Sequence, residues 1–427
     1  MLVVVGILIF FLGLLFSIAW HELGHLAAAK MFGIKVTQYM VGFGRTIWSR
    51  KKGDTEYGLK LIPFGGYIRM IGMFPPKKDE KYGRTTSTAP WRAMIEDARQ
   101  MSAEEITPED AHKQFYQRSP WKRVVVMMAG PFMNLILAVG IFTAILMGHG
   151  IATPTTTVAN ISACVLPATA PNTEVCPADA PKSPAAAAGF QVGDRIVEFN
   201  GKPYASWDEL QLAIRASSGS VPVVVDRGGQ RVPLQADLMQ TDRPKLNSTS
   251  EYEKVGFLGL TPTSVLVKQD IGGVASTIGG FVSLTAQKVV ELPQRVPDLV
   301  AAIFGGERHQ DSPVGIVGAS RLGGEVLASD DFGVDARIIM MFNLLAGVNL
   351  SLFVFNMLPI LPLDGGHAVG AIWEGIRRKF AKLVRRPDPG PFDTARLMPL
   401  AYGVSLIFIA YSLLVLVADV VNPVKLF

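Results

Sequence analysis

The sequence predicts a polytopic α-helical membrane protein with four transmembrane helices, a membrane-associated β-hairpin and an extracytoplasmic α+β domain. Three observations predict it. First, 49% of the 427 residues are hydrophobic and the mean hydropathy is +0.30, which suits a membrane protein with a sizeable polar portion. Second, four segments (approximately Leu2–Ala29, Val124–Met147, Ile338–Leu358 and Leu400–Val420) are apolar over the roughly 20 residues a helix needs to cross about 30 Å of hydrocarbon. Third, charge alternates. Residues 30–123 carry 18 Lys/Arg against 10 Asp/Glu, residues 149–335 carry 14 against 20, and residues 361–398 carry 7 against 4. Basic connections stay in the cytoplasm, so the first and third connections lie inside and the middle one outside.

The first span (1–35) ends in "IAWHELGHLAAAK". Ionisable residues in a membrane-length helix are costly and face a partner or a cavity. A cleaved signal peptide fits this segment poorly, because it lacks a basic leader and signal cores do not carry such residues. Positions i and i+4 share a helix face, so His21 and His25 can reach one metal ion, while Glu22 lies one step around the helix. HExxH is the metalloprotease pattern, with Zn²⁺ as the expected ion and the glutamate as general base.

Residues 36–75 are rich in β-branched and aromatic residues, with "KKGDT" as a turn; they predict a membrane-associated β-hairpin whose free edge can take an extended peptide. Residues 76–120 are charged and Pro/Ser/Thr-punctuated, a cytoplasmic insert in which His112 stands alone as a solvated residue. The second span covers 121–150. Residues 151–182 form a Pro/Ala-rich linker holding Cys164 and Cys176. Two cysteines cannot build a Cys-rich zinc site, though outside the cytosol they can pair. In 183–242, "AGFQVGDRIVEFNGKP" resembles a PDZ domain of the circularly permuted sort found in bacterial proteases. Residues 243–335 are an amphipathic extracytoplasmic connection. The third span (336–370) precedes a cytoplasmic loop (371–398), and the fourth span and tail occupy 399–427. Basic tracts interleaved with aromatics are missing, which argues against nucleic-acid binding.

A catalytic zinc takes three protein ligands, so a third donor belongs to another membrane segment. Asp364 and His367 lie in "FNMLPILPLDGGH", where Pro359 and Pro362 break the helix. A carboxylate at a broken helix end suits a metal site, which favours Asp364; His367 remains as an alternative ligand or as the group that orients Asp364. Asn356 is read as a substrate contact, and Asn349 and Asn134 as contacts between helices.

HELGH, "PFGGYIRM", "RVVVMMAGPFMN", "SPVGI" and "NMLPILPLDGGH" together resemble the site-2 protease family, in particular bacterial single-PDZ members akin to the regulator of sigma-E protease. Arg45 in "VGFGRTIW" departs from the family, which usually has proline there. The resemblance implies a zinc-dependent intramembrane endopeptidase of the bacterial inner membrane, with its active site toward the cytoplasm. His21, His25 and Asp364 would be the ligands and Glu22 the base; Asn356, Pro359, Gly65 and Gly66 would bind substrate. The substrate would be a single-span protein of the anti-sigma-factor type, cut after an upstream site-1 protease acts. Competing classes are a non-catalytic PDZ membrane scaffold, which would hold no metal tightly, and a metal transporter, which would spread ionisable residues across several spans.

Overall fold

A computed structural model of the protein describes residues 1–75, 106–166, 176–177, 180–246, 252–308, 312–329 and 332–424. The body of the insert expected over 76–120 lies outside them up to residue 105. In chain order the elements are α1 (Leu2–Met31), β1 (Val36–Lys52), β2 (Thr55–Met70), α2 (Pro120–Thr143, running into a π-helical turn Ala144–His149), β3 (Ile151–Ile161), β4 (Arg195–Phe199), β5 (Lys202–Pro203), α3 (Trp207–Arg215), β6 (Gly219–Arg227), β7 (Gln230–Pro244), β8 (Tyr252–Phe257), β9 (Leu260–Val267), α4 (Ile271–Glu291), α5 (Val296–Ile303), α6 (Ile316–Ala328), α7 (Val334–Asn356), α8 (Asp364–Leu383) and α9 (Met398–Val421). Among the described residues four helical stretches are long and apolar enough to cross a membrane: Leu2–Met31, Pro120–His149, Val334–Asn356 and Thr394–Val421.

The chain divides into two compact units. One comprises the described residues of 1–144, 273–308 and 312–427. Here α1 is the central helix. Phe10 and Leu14 pack with Val326 of α6 and Met341 of α7. Further along, Leu26 and Ala29 pack with Val36, Met70 and Val126. Polar ties set the helix registers. Trp20 Nε1 donates to the Met133 carbonyl at 2.9 Å, Asn349 Nδ2 to Ser17 Oγ at 2.8 Å, and Tyr39 Oη to the Ala19 carbonyl at 2.7 Å. Asn349, 0% exposed, therefore joins two spans. In lipid such a bond replaces an unsatisfied amide, so it selects one packing.

Strands β1 and β2 pair as an antiparallel ribbon, but its register doubles back. Tyr39 pairs with both Ile68 and Tyr57, Met40 with Tyr67 and Gly58, and Val41 with Gly66 and Leu59. The stretch 38–41 thus has neighbours on both sides, while Trp48 to Lys52 pair only with Leu59 to Thr55. The region expected as a simple hairpin is a folded-over ribbon. Phe43, Ile47, Trp48, Leu61 and Ile62 remain exposed on its outer half.

The second unit spans the described residues of 145–272. Its seven-stranded sheet has the order β8-β7-β6-β4-β3-β9, with β5 beside β4, and all its pairings are antiparallel. Ile196, Phe199, Val223 and Val225 build the core together with Leu210 and Ile214 of α3. That helix is capped by Ser206, whose Oγ accepts from the Glu209 amide. The sheet is larger than the segment 183–242 expected from sequence. The β-branched run in "IATPTTTVANI", assigned to the linker 151–182, forms β3 between β4 and β9, and residues 252–267 supply two more strands. Cys164 and Cys176 are joined in a disulfide. The stretch 371–398, expected as a loop, is helical to Leu383 as part of a helix that begins at Asp364; the buried positions of that helix recur at helical spacing, with Ala368, Ala371 and Glu374 along one face.

Candidate metal centre

His21, Glu22 and His25 lie in the last third of α1, and His21 and His25 face α2. His25 Nδ1 is 2.7 Å from the Val126 carbonyl. A carbonyl only accepts, so Nδ1 carries the hydrogen and Nε2 keeps its lone pair. That Nε2 is 3.2 Å from His21 Nε2, with the two rings edge-on at 75°.

The third side chain is Asp364. Helix α7 ends at Asn356; Pro359 and Pro362 follow, and the chain restarts as a helix at Asp364. A carboxylate in the first turn is favoured by the helix dipole, and this placement aims Oδ2 back at α1. It lies 3.2 Å from His21 Nε2 and 3.3 Å from His25 Nε2. Among the described residues this trio forms a cluster of metal-binding type. His367, the alternative donor, does not join it; it lines a cleft with Met73, Phe74, Pro362 and Tyr402 instead.

The donor set fits zinc. An ion about 2.0–2.1 Å from two tetrahedral ligands holds them about 3.3 Å apart, and the three donor atoms form a triangle with edges of 3.2, 3.2 and 3.3 Å. The His21, His25 and Asp364 side chains are 12%, 6% and 19% exposed, so the donors are largely withdrawn from solvent. The room is built in as well: a Cβ on Gly130 of α2 would fall 2.2 Å from His25 Nε2.

The folded ribbon reaches the same place. A Cβ on Gly66 would lie 2.9 Å from Glu22 Cγ and 3.0 Å from Ile18 Cγ2, so only glycine lets this strand pass so near the carboxylate. The Ile68 backbone amide is within hydrogen-bonding reach of Glu22. Gly65, at φ +120°, lies against the Phe43 ring. Asn356 Nδ2 donates to the Leu352 carbonyl at 3.0 Å. Pro359 is exposed and lines a second cleft, with Leu361, Trp373 and Leu400.

One contact escaped the sequence reading. Asn134, read as a helix contact, has its amide nitrogen 3.3 Å from His21 Nδ1. Its place in "GPFMN", one helical turn beyond Gly130, was the available signal.

Residues 9–385 match the family model "Peptidase family M50". The chain is 34% identical over 441 aligned residues to zinc metalloprotease Rip1 of Mycobacterium tuberculosis (strain H37Rv), covering all of both chains. It is 33% identical to zinc metalloprotease Rip1 of Mycolicibacterium smegmatis over 99% of each. It is also 28% identical to metalloprotease MmpA of Caulobacter vibrioides, over 88% of this chain and 89% of that one.

Proposed function

Because the chain belongs to peptidase family M50, the zinc metalloendopeptidases of site-2 protease type, we propose that His21, His25 and Asp364 hold its zinc and that Glu22 is the general base. The observation that carries this reading is the near-equilateral triangle of donor atoms from α1 and α8, with Glu22 adjacent to one of them in sequence. When bound, zinc supplies Lewis acidity toward a carbonyl oxygen and makes water easier to deprotonate. Glu22 takes the proton of the attacking water and hands it to the leaving amine. The amide of Ile68 lies within reach of that carboxylate, and Gly66 packs against its stem.

The substrate is a membrane protein, and the finer reading is a single-span one of anti-sigma-factor type. A helical substrate has its amides locked in hydrogen bonds and must unwind before cleavage. The ribbon's 66–69 edge beside Glu22 suits an unwound segment added as a strand, with Asn356, Pro359, Gly65 and Gly66 contacting it. The antiparallel domain is read as PDZ-like and extracytoplasmic, admitting substrate only after a site-1 protease has trimmed it. The membrane is the bacterial inner membrane, with the zinc toward the cytoplasm.

Glu22→Gln in the purified full chain is expected to keep its zinc and to lose about 10²–10⁴-fold in cleavage of a single-span reporter in detergent. Asp364→Ala is expected to lose the metal. Full cleavage by Glu22→Gln would remove Glu22 as base; unchanged zinc content in Asp364→Ala would remove the ligand set.

A further inference from the structure

We propose that Asn134 is a positioning residue: its carboxamide oxygen accepts a hydrogen bond from His21 Nδ1–H and thereby presents His21 Nε2 to the metal. The inference rests on the reading of His21 as a ligand. Asn134 is 1% exposed, its amide lies 3.3 Å from His21 Nδ1, and its Oδ1 is buried with no hydrogen-bond partner among the described residues.

The chemistry of the imidazole explains both facts. A neutral ring has one N–H, so a His21 that gives its Nε2 lone pair to a cation carries the hydrogen on Nδ1. An NH₂ group facing that hydrogen has nothing to accept with. The two ends of a carboxamide are nearly identical in shape, and a half-turn about Cβ–Cγ exchanges them. The exchange sets Oδ1 on the Nδ1–H, satisfies an orphaned buried oxygen and fixes the tautomer that leaves Nε2 free. His25 already follows this rule, with its Nδ1 on the Val126 carbonyl. Helix α2 then orients both imidazoles, one through its backbone and one through a side chain eight residues on. The Trp20–Met133 bond, one residue away on each helix, holds the register that this requires. An acceptor on the remote nitrogen is the usual support of a zinc-bound histidine, and removing it costs about 10–100-fold in affinity.

The test is zinc affinity, measured by chelator competition on the full chain in detergent, with thermal melting as the folding control. Asn134→Leu keeps the heavy-atom count and branching of the side chain and Asn134→Ala removes them; both delete the acceptor, and each is expected to bind zinc about 10–100-fold more weakly. Asn134→Asp supplies a stronger acceptor and is expected to match or exceed wild type. A packing role predicts the opposite order, with Leu tolerated and the buried charge harmful. Wild-type affinity in Asn134→Leu, or in Asn134→Ala if the leucine variant does not fold, overturns the inference, as does an Asp variant that binds as weakly as Ala. His21→Ala separates the two levels. If it holds zinc as wild type does, the ligand reading itself falls; if it loses zinc while the Asn134 variants do not, only the role of Asn134 falls.

Discussion

Single atoms decide the chemistry of this site. Gly130 is the sharpest case, since the 2.2 Å between its missing Cβ and His25 Nε2 is less than any real contact. Gly130→Ala must displace a ring that the Val126 carbonyl already holds, and it is expected to lower zinc affinity at least about tenfold, comparable to losing an orienting partner. Gly140→Ala on the same helix meets open space and serves as the control; equal zinc binding by the two variants would refute the argument. A second residue-level device sits in the sheet domain. Asp194 of "VGDR" accepts two 2.8 Å bonds from Arg227 and one from the Gln191 amide. The Arg227 guanidinium holds its carboxyl below the usual carboxylate range. The folded state therefore binds fewer protons, and the resulting stability is full above the unfolded value near 3.9 and is lost as pH falls through the folded value. Asp194→Asn is expected to cost about 2 kcal/mol at pH 7 and to flatten that acid dependence, read by amide hydrogen exchange in β4 and β6.

Elements are joined by buried charge where their own sequences leave ends unsatisfied. Helix α6 begins after Gly315, which has no side chain to cap it. The cap comes from α9 instead: Asp419 Oδ2 accepts from the Gly315 and Gly318 amides at 2.9 and 3.0 Å, and Oδ1 from Arg308 at 2.7 Å. The pair is 1% exposed on both sides. This gives the "SPVGI" motif a physical meaning, an anion site at a helix N-terminus filled from within. Asp419→Asn leaves Arg308 buried without its partner and is expected to cost about 3 kcal/mol or more, seen as a lowered melting temperature in detergent; an unchanged melt would show the pair to be dispensable. A similar node ties the start of α2 to α8 and the chain before α9, where Glu374, 0% exposed, meets Arg123 and Arg378 and accepts from the Phe392 amide. Neither node was foreseen, because nothing local in a lone Asp or Glu says which distant cation it meets.

At the scale of the molecule, the alternation of charge along the chain predicts its orientation in the bilayer. A cysteine at Lys202, in the sheet domain, is expected to react with a membrane-impermeant maleimide on intact cells. One at Lys382, at the end of α8, is expected to react only after permeabilisation. The native cysteines are paired with each other and leave a clear background. Labelling in the reverse pattern would invert the orientation. The apolar outer half of the ribbon, with Phe43, Ile47, Trp48, Leu61 and Ile62 exposed, belongs to the same scale: side chains of this kind are stable where lipid or substrate covers them.

The spans, the shared helix face of His21 and His25 and the break of the helix at Pro359 and Pro362 were readable from the residues, because apolar length, i to i+4 spacing and proline act within one stretch of chain. Tertiary structure brought Asp364 rather than His367 to the imidazoles, and it alone decided how the ribbon turns back beside Glu22, that residues 151–161 and 252–267 join the sheet, and that Asn134 faces His21. Those contacts depend on how helices and strands far apart in sequence pack together, and helical or strand periodicity carries no information about the partner across the interface.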